Sequence, residues 1–247
     1  MLATITGDGG RRAVITAGNR SSNVAITVPP GAARADLRPL LVAALEAVGA
    51  RGGGEVHWWV QGVTADDEEL ASSVGLRPGR RLLQLRRPLP TGLPVEIETR
   101  PFRPGLDEAA WVEQNNRAFA GHPEQGGWTV ATLVQQEAES WFDPAGFLLY
   151  ERDGRLAGSC WTKLHPPSDE DPRLGEIYVI GVDPDFHGLG LGSQLTLAGL
   201  ASISARGIDQ ALLYVDAANT PATSMYAKLG FTEHRVDRAF TAMLPTK

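Results

Sequence analysis

"IGVDPDFHGLGLGSQLTLAGL", residues 180–200, is the stretch on which the fold turns. An apolar run ends at Val182, a turn follows, and glycines at 188, 190 and 192 lead into a segment with helical apolar spacing. Glycine permits backbone angles and close approaches that a Cβ forbids. Several N–H groups then point into one small volume, and the helix that follows adds its unpaired N-terminal donors and the positive end of its dipole. Such a turn is an anion cradle suited to a pyrophosphate. The same glycines also serve a tight connection with close helix packing, and the bare pattern weighs the two equally. No Lys-Ser/Thr follows the glycines, and the spacing is G-x-G-x-G rather than G-x-G-x-x-G, so neither a P-loop nor a dinucleotide fingerprint is present.

The flanks of this turn predict a mixed, mostly antiparallel α/β sheet with flanking helices. Upstream, "VEIETRPF" (95–102) and "GEIYVIGV" (175–182) read as strands, 107–120 and 129–140 as helices, the latter capped by Thr129. "GFLLYERDGRLAGSCWTKLH" (146–165) reads as a hairpin turned at Asp153-Gly154. Downstream, 189–206 is a helix, "QALLYVD" (210–216) a strand, and "NTPATSMYAKLG" (219–230) a short helix capped by Asn219 and closed by Gly230. "FTEHRVDRAFTAML" (231–244) ends with strand character. The N-terminal segment is Ala-, Gly- and Arg-rich. It predicts strands at 23–30, 55–60 and 81–89 and helices at 35–50 and 64–76, the second capped by Thr64. "PLPTGLP" (88–94) is the linker candidate, so domains are expected at 1–90 and 91–247. Both segments follow the order strand, turn, helix, strand, helix, strand.

The chain has 247 residues, 43% hydrophobic and 21% charged, which is an ordinary globular composition. A net charge of −6 argues against a nucleic-acid partner. No apolar run reaches spanning length and no signal pattern opens the chain, so a cytoplasmic protein without membrane contact is expected, and a monomer. The single cysteine, Cys160, excludes an internal disulfide and fits a reducing compartment. As a small buried side chain it needs no explanation; as an acyl carrier it would need a histidine partner, and none is evident. The histidines at 57, 122, 165, 187 and 234 lack ligand spacing, so no metal site is expected. Lysine occurs only at 163, 228 and 247, which singles out Lys163 as an internal lysine.

The neighbours of the glycine turn favour the cradle. The strand ending in Val182 followed by His187-Gly188-Leu189-Gly190-Leu191-Gly192 resembles the acetyl-CoA signature R/Q-x-x-G-x-G/A of the GCN5-related N-acetyltransferases. Asn219, Tyr226, Gly230 and Phe231 match its second half. "FAGHPEQGGWT" (119–129), "WFDP" (141–144), "WTKLHP" (161–166) and "GEIYVIGVDP" (175–184) are similar to the mycothiol synthase family, which has two tandem acetyltransferase-like domains. The likeness is close over 81–247. Residues 1–90 resemble only the later half of such a domain, shortened and degenerate: "VPPGAARADL" (28–37) stands where a cofactor turn would be and lacks G-x-G.

The resemblance implies transfer of acetyl from acetyl-CoA to the cysteinyl amine of cysteinyl-glucosaminyl-inositol, with Glu176 as base and Tyr226 as acid. Tyr226 also belongs to an apolar stripe with Ala222, Met225 and Leu229, which core packing alone would explain. Ile180, Gly181 and Val182 are expected to pair with the pantetheine arm, Val182 N–H to polarise the acetyl carbonyl, and His187, Gly188, Leu189, Gly190, Leu191, Gly192 and Ser193 to cradle the pyrophosphate. Asn219, Thr220, Pro221, Ala222, Thr223 and Ser224 are expected along the far side of the arm. Glu124, Lys163, Glu176 and Tyr214 are implied contacts of the acceptor amine. His187 departs from the usual Arg or Gln and supplies less charge to a phosphate, although its backbone N–H is expected to remain on offer. Two other readings stand beside this one: an acetyltransferase of another small-molecule or protein amine, and a catalytically inactive acyl-CoA-binding protein.

Overall fold

The computed structural model describes residues 3–17, 21–27, 37–121, 125–169 and 171–245, and its chain divides into two compact units. The first holds residues 1–84, 215–219 and 233–247; the second holds 85–214 and 220–232. The chain passes between them at 84/85, inside a strand, four residues before the proline-rich stretch begins.

The first unit is a sheet of β1 (Ala3–Thr6), β2 (Arg12–Ala17), β3 (Ser21–Thr27), β4 (Gly54–Val60) and β11 (Thr232–Leu244), together with the first part of β5 (Arg77–Pro88). Helices α1 (Arg38–Gly49) and α2 (Ala65–Ser73) accompany it. Leu41, Ala44, Leu45 and Val48 give α1 one apolar stripe, which packs with Ile15, Val24, Trp58 and Phe240. Thr64 caps α2 as expected and forms a capping box with Asp67. Strands β1 and β2 were missed in the sequence, although Gly7-Asp8-Gly9-Gly10 between them is a turn signal, because β1 has only four residues and little apolar alternation to mark it as a strand. Residues 28–36, which include the degenerate cofactor turn, lie outside the described residues.

The second unit carries the glycine turn. Its sheet runs β5-β10-β9-β8-β7-β6, with β6 (Arg100–Pro101), β7 (Phe147–Arg152), β8 (Arg155–His165), β9 (Leu174–Val182) and β10 (Gln210–Asp216). Strands β6 to β9 are antiparallel neighbours; β9 and β10 are parallel and joined through α5 (Leu191–Ser204). Helices α3 (Glu108–Ala118), α4 (Val130–Glu137) and α6 (Thr220–Lys228) complete the unit. This is the mixed α/β sheet that the element order predicted. The hairpin turns at Asp153 and Gly154, both at positive φ, as a two-residue loop whose twist matches the strands requires. The strand expected over 95–102 is reduced to Arg100–Pro101, which pair with Leu149 and Leu148. The apparent alternation of 95–99 reflects a loop with Val95 exposed, and a proline has no N–H with which to extend a ladder.

Two cores hold the unit. An aromatic column stacks Phe102 on Phe147 (4.5 Å between centroids) and Phe147 on Trp161 (4.4 Å), with Trp111 edge-on to both Phe147 and Trp161. The column continues through Trp141 and Tyr178, each 5.5 Å from Trp161, towards the open end of the strands. On the other face lies α5, apolar almost all round, with Leu195, Leu197, Ala198, Leu200 and Ile203 buried. It approaches closely because the contact positions are glycines. A Cβ at Gly175 would overlap Ile203, and one at Gly199 would lie 2.5 Å from Cys160 Sγ and 2.7 Å from Ile177 Cδ1. Gly199→Ala therefore sets two effects against each other. Removing a helical glycine gains about 0.5–1 kcal/mol, while overpacking costs about 1–3 kcal/mol. The clash is with a buried, immobile thiol, so a net loss of stability is expected, read as a lower urea midpoint at unchanged slope. Adding Cys160→Ala should restore most of it, since the pair shares one space.

Candidate active site

The glycine turn follows the point where β9 loses its neighbour. The parallel ladder between β9 and β10 covers three pairs, Gly175↔Ala211, Glu176↔Leu212 and Ile177↔Leu213, and stops. Strand β9 runs on to Val182 beside β8 alone, with a bulge that leaves Tyr178 between the pairs Val179↔Trp161 and Ile177↔Thr162. The N–H of Asp183 donates to Ala157 O, 2.9 Å, so residue 183 faces β8. By antiparallel alternation Val182 and Ile180 point their N–H groups the other way, along the edge outside the β10 ladder. Val182 O lies 3.1 Å from His187 Nε2.

Asp183 then locks the turn. Its carboxylate takes Arg117 Nε at 2.6 Å and the backbone N–H of Asp185 at 3.0 Å, and it is 2% exposed. The Arg117 guanidinium holds this carboxyl below its usual range, aided by the Asp185 N–H and by Arg155. Asp185 in turn meets Arg117 at 2.9 Å and Arg155 at 3.0 Å. Phe186 is buried against Ala157 and Leu191. Beyond it Gly188 (φ 78°) and Gly190 (φ 74°) take left-handed angles, and a Cβ at either would meet nothing within 4 Å. The space over the turn is thus open. Gly190 is the N-cap of α5 and offers no side-chain cap, so the first N–H groups of the helix, at Leu191, Gly192 and Ser193, face that space without one. A Cβ at Gly192 would press on Met225 of α6. The backbone N–H of His187, expected to be on offer, is instead closed onto Pro184 O at 3.2 Å by the preceding turn.

At the other end of the β9 edge lies Glu176, 8% exposed, one rung before the ladder stops. Its Oε2 is 2.7 Å from His165 Nε2. Lys163 stands directly opposite Glu176 in the β8–β9 register, yet its Nζ lies over the Trp141 ring at 4.2 Å and near the Tyr178 ring at 5.3 Å. Burial raises the Tyr178 phenol, and the charges of Glu176 and Glu139 add to the effect. Tyr214 follows the last ladder residue of β10 and is exposed. Glu124 lies outside the described residues.

Tyr226 is buried on α6, edge-on to Phe231 at 5.7 Å. Burial pushes its phenol well above the ordinary range, with nearby Cys160 adding to it, so it is protonated at neutral pH. Cys160 is fully buried and its thiol is pushed up to about 12 by that burial, which suits a packing side chain. The N–H of Asn219 donates to Asp216 O within the first unit, while 220–224 open α6 in the second. Among the described residues no group of three or more His, Cys, Asp and Glu is placed to hold a metal ion, and no helix is long and apolar enough to cross a membrane.

Sequence reasoning missed His165. Its signal was the spacing in "WTKLHP", where Trp161, Lys163 and His165 share the two-residue period of one strand face. It also missed the Arg117–Asp183 clamp, whose members are 66 residues apart and carry no pattern in common.

Residues 106–231 match the model of the Acetyltransferase (GNAT) family. The chain is 47% identical over 218 residues to a mycothiol acetyltransferase of Thermobispora bispora, the match covering 86% of this chain and 73% of that protein. It is 45% identical over 228 residues to one from Geodermatophilus obscurus, covering 89% and 73%. Among solved structures it is similar to a GCN5-related N-acetyltransferase from Sphaerobacter thermophilus, with a TM-score of 0.74 at 22% identity over 97% of this chain and 79% of that one. It is also similar to a tandem GNAT protein from the clavulanic acid biosynthesis pathway, with a TM-score of 0.70 at 16% identity over 96% and 81%. At those identities the solved structures speak for the fold alone. With a parallel ladder that stops after three pairs ahead of an uncapped helix, and with relatives of this identity over most of its length, the chain belongs to the mycothiol acetyltransferase family of GNAT acyltransferases.

Proposed function

We propose that the second unit transfers the acetyl group of acetyl-CoA to the cysteinyl amine of cysteinyl-glucosaminyl-inositol, forming mycothiol by direct attack. The observation that carries this reading is the β9 edge. Backbone donors at 180 and 182 stand outside the β10 ladder, an uncapped helix N-terminus lies at one end, and a buried carboxylate lies at the other. GNAT acetyltransferases use acetyl-CoA as donor. The open turn at Gly188 and Gly190 fits a diphosphate, and the unladdered edge fits an arm that pairs as a false strand.

Acetyl-CoA supplies an activated thioester. Val182 N–H donates to its carbonyl oxygen as charge builds there. Backbone donors from Gly188 to Ser193 hold the diphosphate, with residues 220–224 lining the far side of the arm. His187 contributes through its ring, which holds the Val182 carbonyl, rather than through its N–H. Glu176 takes a proton from the acceptor ammonium, and Tyr226, kept protonated by burial, gives one to the departing sulfur. Lys163, Tyr214 and Glu124 contact the sugar-inositol portion.

The first unit we read as a shortened, degenerate copy of the same plan. Strand β3, helix α1 and strand β4 repeat the order β9, α5, β10, and β3 and β4 are likewise parallel. Their ladder, however, covers five pairs, Ser21↔Glu55 to Ala25↔Trp59, so less strand edge is left for an arm to pair with.

Glu176→Gln should lower kcat by about 100-fold or more near pH 7. Part of the loss should return at high pH, because the α-amine, with an ordinary pKa of about 8, then arrives already deprotonated. Unchanged rates across pH would remove Glu176 from the mechanism. Gly190→Asp places a negative charge at the N-terminus of α5 in a residue that tolerates left-handed angles. It should raise the KM for acetyl-CoA by about 10-fold, while the neutral Gly190→Asn raises it less; equal effects would mean that the turn senses shape and not an anion.

A further inference from the structure

We propose that His165 is the positioning residue of the catalytic carboxylate: it holds one oxygen of Glu176 so that the other faces the incoming amine. This rests on the reading of Glu176 as the base. The geometry comes from the strand. Residues 163 and 165 lie on one face of β8, and Lys163 and His165 stand opposite Glu176 and Leu174 of β9. The directly opposed residue is the lysine, so an ion pair between Lys163 and Glu176 is what the register alone would favour. The molecule does something else. The Lys163 ammonium is drawn over Trp141 and Tyr178, and the carboxylate bonds diagonally to His165 at 2.7 Å.

Chemistry gives this exchange a purpose. A lysine beside a carboxylate stabilises its charged form and makes it a poorer base. An imidazole donating Nε2–H orients the carboxylate through one directed hydrogen bond, which the flexible lysine ammonium does not. Nε2 is the ring nitrogen that meets Oε2, and the ring is 36% exposed. Among the described residues Oε1 meets no hydrogen-bond donor, so it is the oxygen available to the ammonium. The aromatic column thereby reaches the chemistry: its last rings, Trp141 and Tyr178, hold the competing cation away, and His165 takes the place so freed. The other ionisable groups around the pair are Tyr178, whose phenol burial keeps protonated, and Glu139, whose charge acts on that phenol.

The test measures acetyl transfer from acetyl-CoA to cysteinyl-glucosaminyl-inositol as release of free CoA, in four variants whose folding is checked by circular dichroism and thermal melting. His165→Ala should lower kcat by about 10- to 100-fold, the range expected for a misplaced reacting group, with the KM for acetyl-CoA within about twofold of wild type. His165→Gln, which offers an amide N–H at similar reach, should recover most of that loss. Glu176→Gln should be slower than either. In the double variant Glu176→Gln/His165→Ala the loss of His165 should cost almost nothing more, because a residue acting through another has no effect once the other is gone. Wild-type kcat in His165→Ala with an inactive Glu176→Gln would overturn the positioning role and leave Glu176 as the base. A full further loss in the double variant would mean that His165 acts by another route, which also overturns it. An active Glu176→Gln would sink the base itself, whatever His165 does.

Discussion

Strand β9 must satisfy its backbone on two sides, and on one of them it runs out of protein. Beside β8 it is paired to its end; beside β10 the ladder stops at Ile177. Backbone N–H groups are obligatory hydrogen-bonding groups, so an edge of this kind in the middle of a sheet calls for a partner. Three features of the second unit bear on that edge and its ends. The bulge at Tyr178 redirects the strand where the ladder ends. The glycine contacts at 175 and 199 draw α5 close enough to support the strand from one face. The Arg117–Asp183 clamp fixes the turn at the strand's far end.

The two ends of the edge differ in electrostatic character, and that difference organises the chemistry. At the turn, positive φ glycines and uncapped helix donors collect partial positive charge without using a cationic side chain. At the other end a carboxylate is held in a nearly dry site, with a histidine as its partner and a lysine parked on aromatic rings. In the proposed reaction these two ends would draw an anionic diphosphate and a cationic ammonium to opposite ends of one strand, with the thioester between them. The proximity this creates supplies a large part of any rate acceleration, because two bound reactants no longer need to find each other.

Much of this plan was readable along the chain because it is local. The turn at 187–192, the hairpin at Asp153-Gly154 and the caps at Thr64 and Thr129 each depend on a few consecutive residues whose backbone preferences are strong. Features that were not readable depend on pairing. Strands β1 and β2 are defined by each other and by β3 more than by their own residues. The strand expected over 95–102 shrank to two residues because alternation without a neighbour is not a strand.

The amino-acid sequence by itself determined the order of most elements, the glycine turn and the absence of a disulfide within the chain. Only the tertiary structure decided which side chains meet. It placed His165 rather than Lys163 against Glu176 and joined Arg117 to Asp183. The reason is geometric. A helix turn or a cap is decided by bonds between near neighbours, whereas the partner of a carboxylate is decided by register, by a bulge and by where aromatic rings leave room for a cation. None of these is encoded within a single segment of the chain.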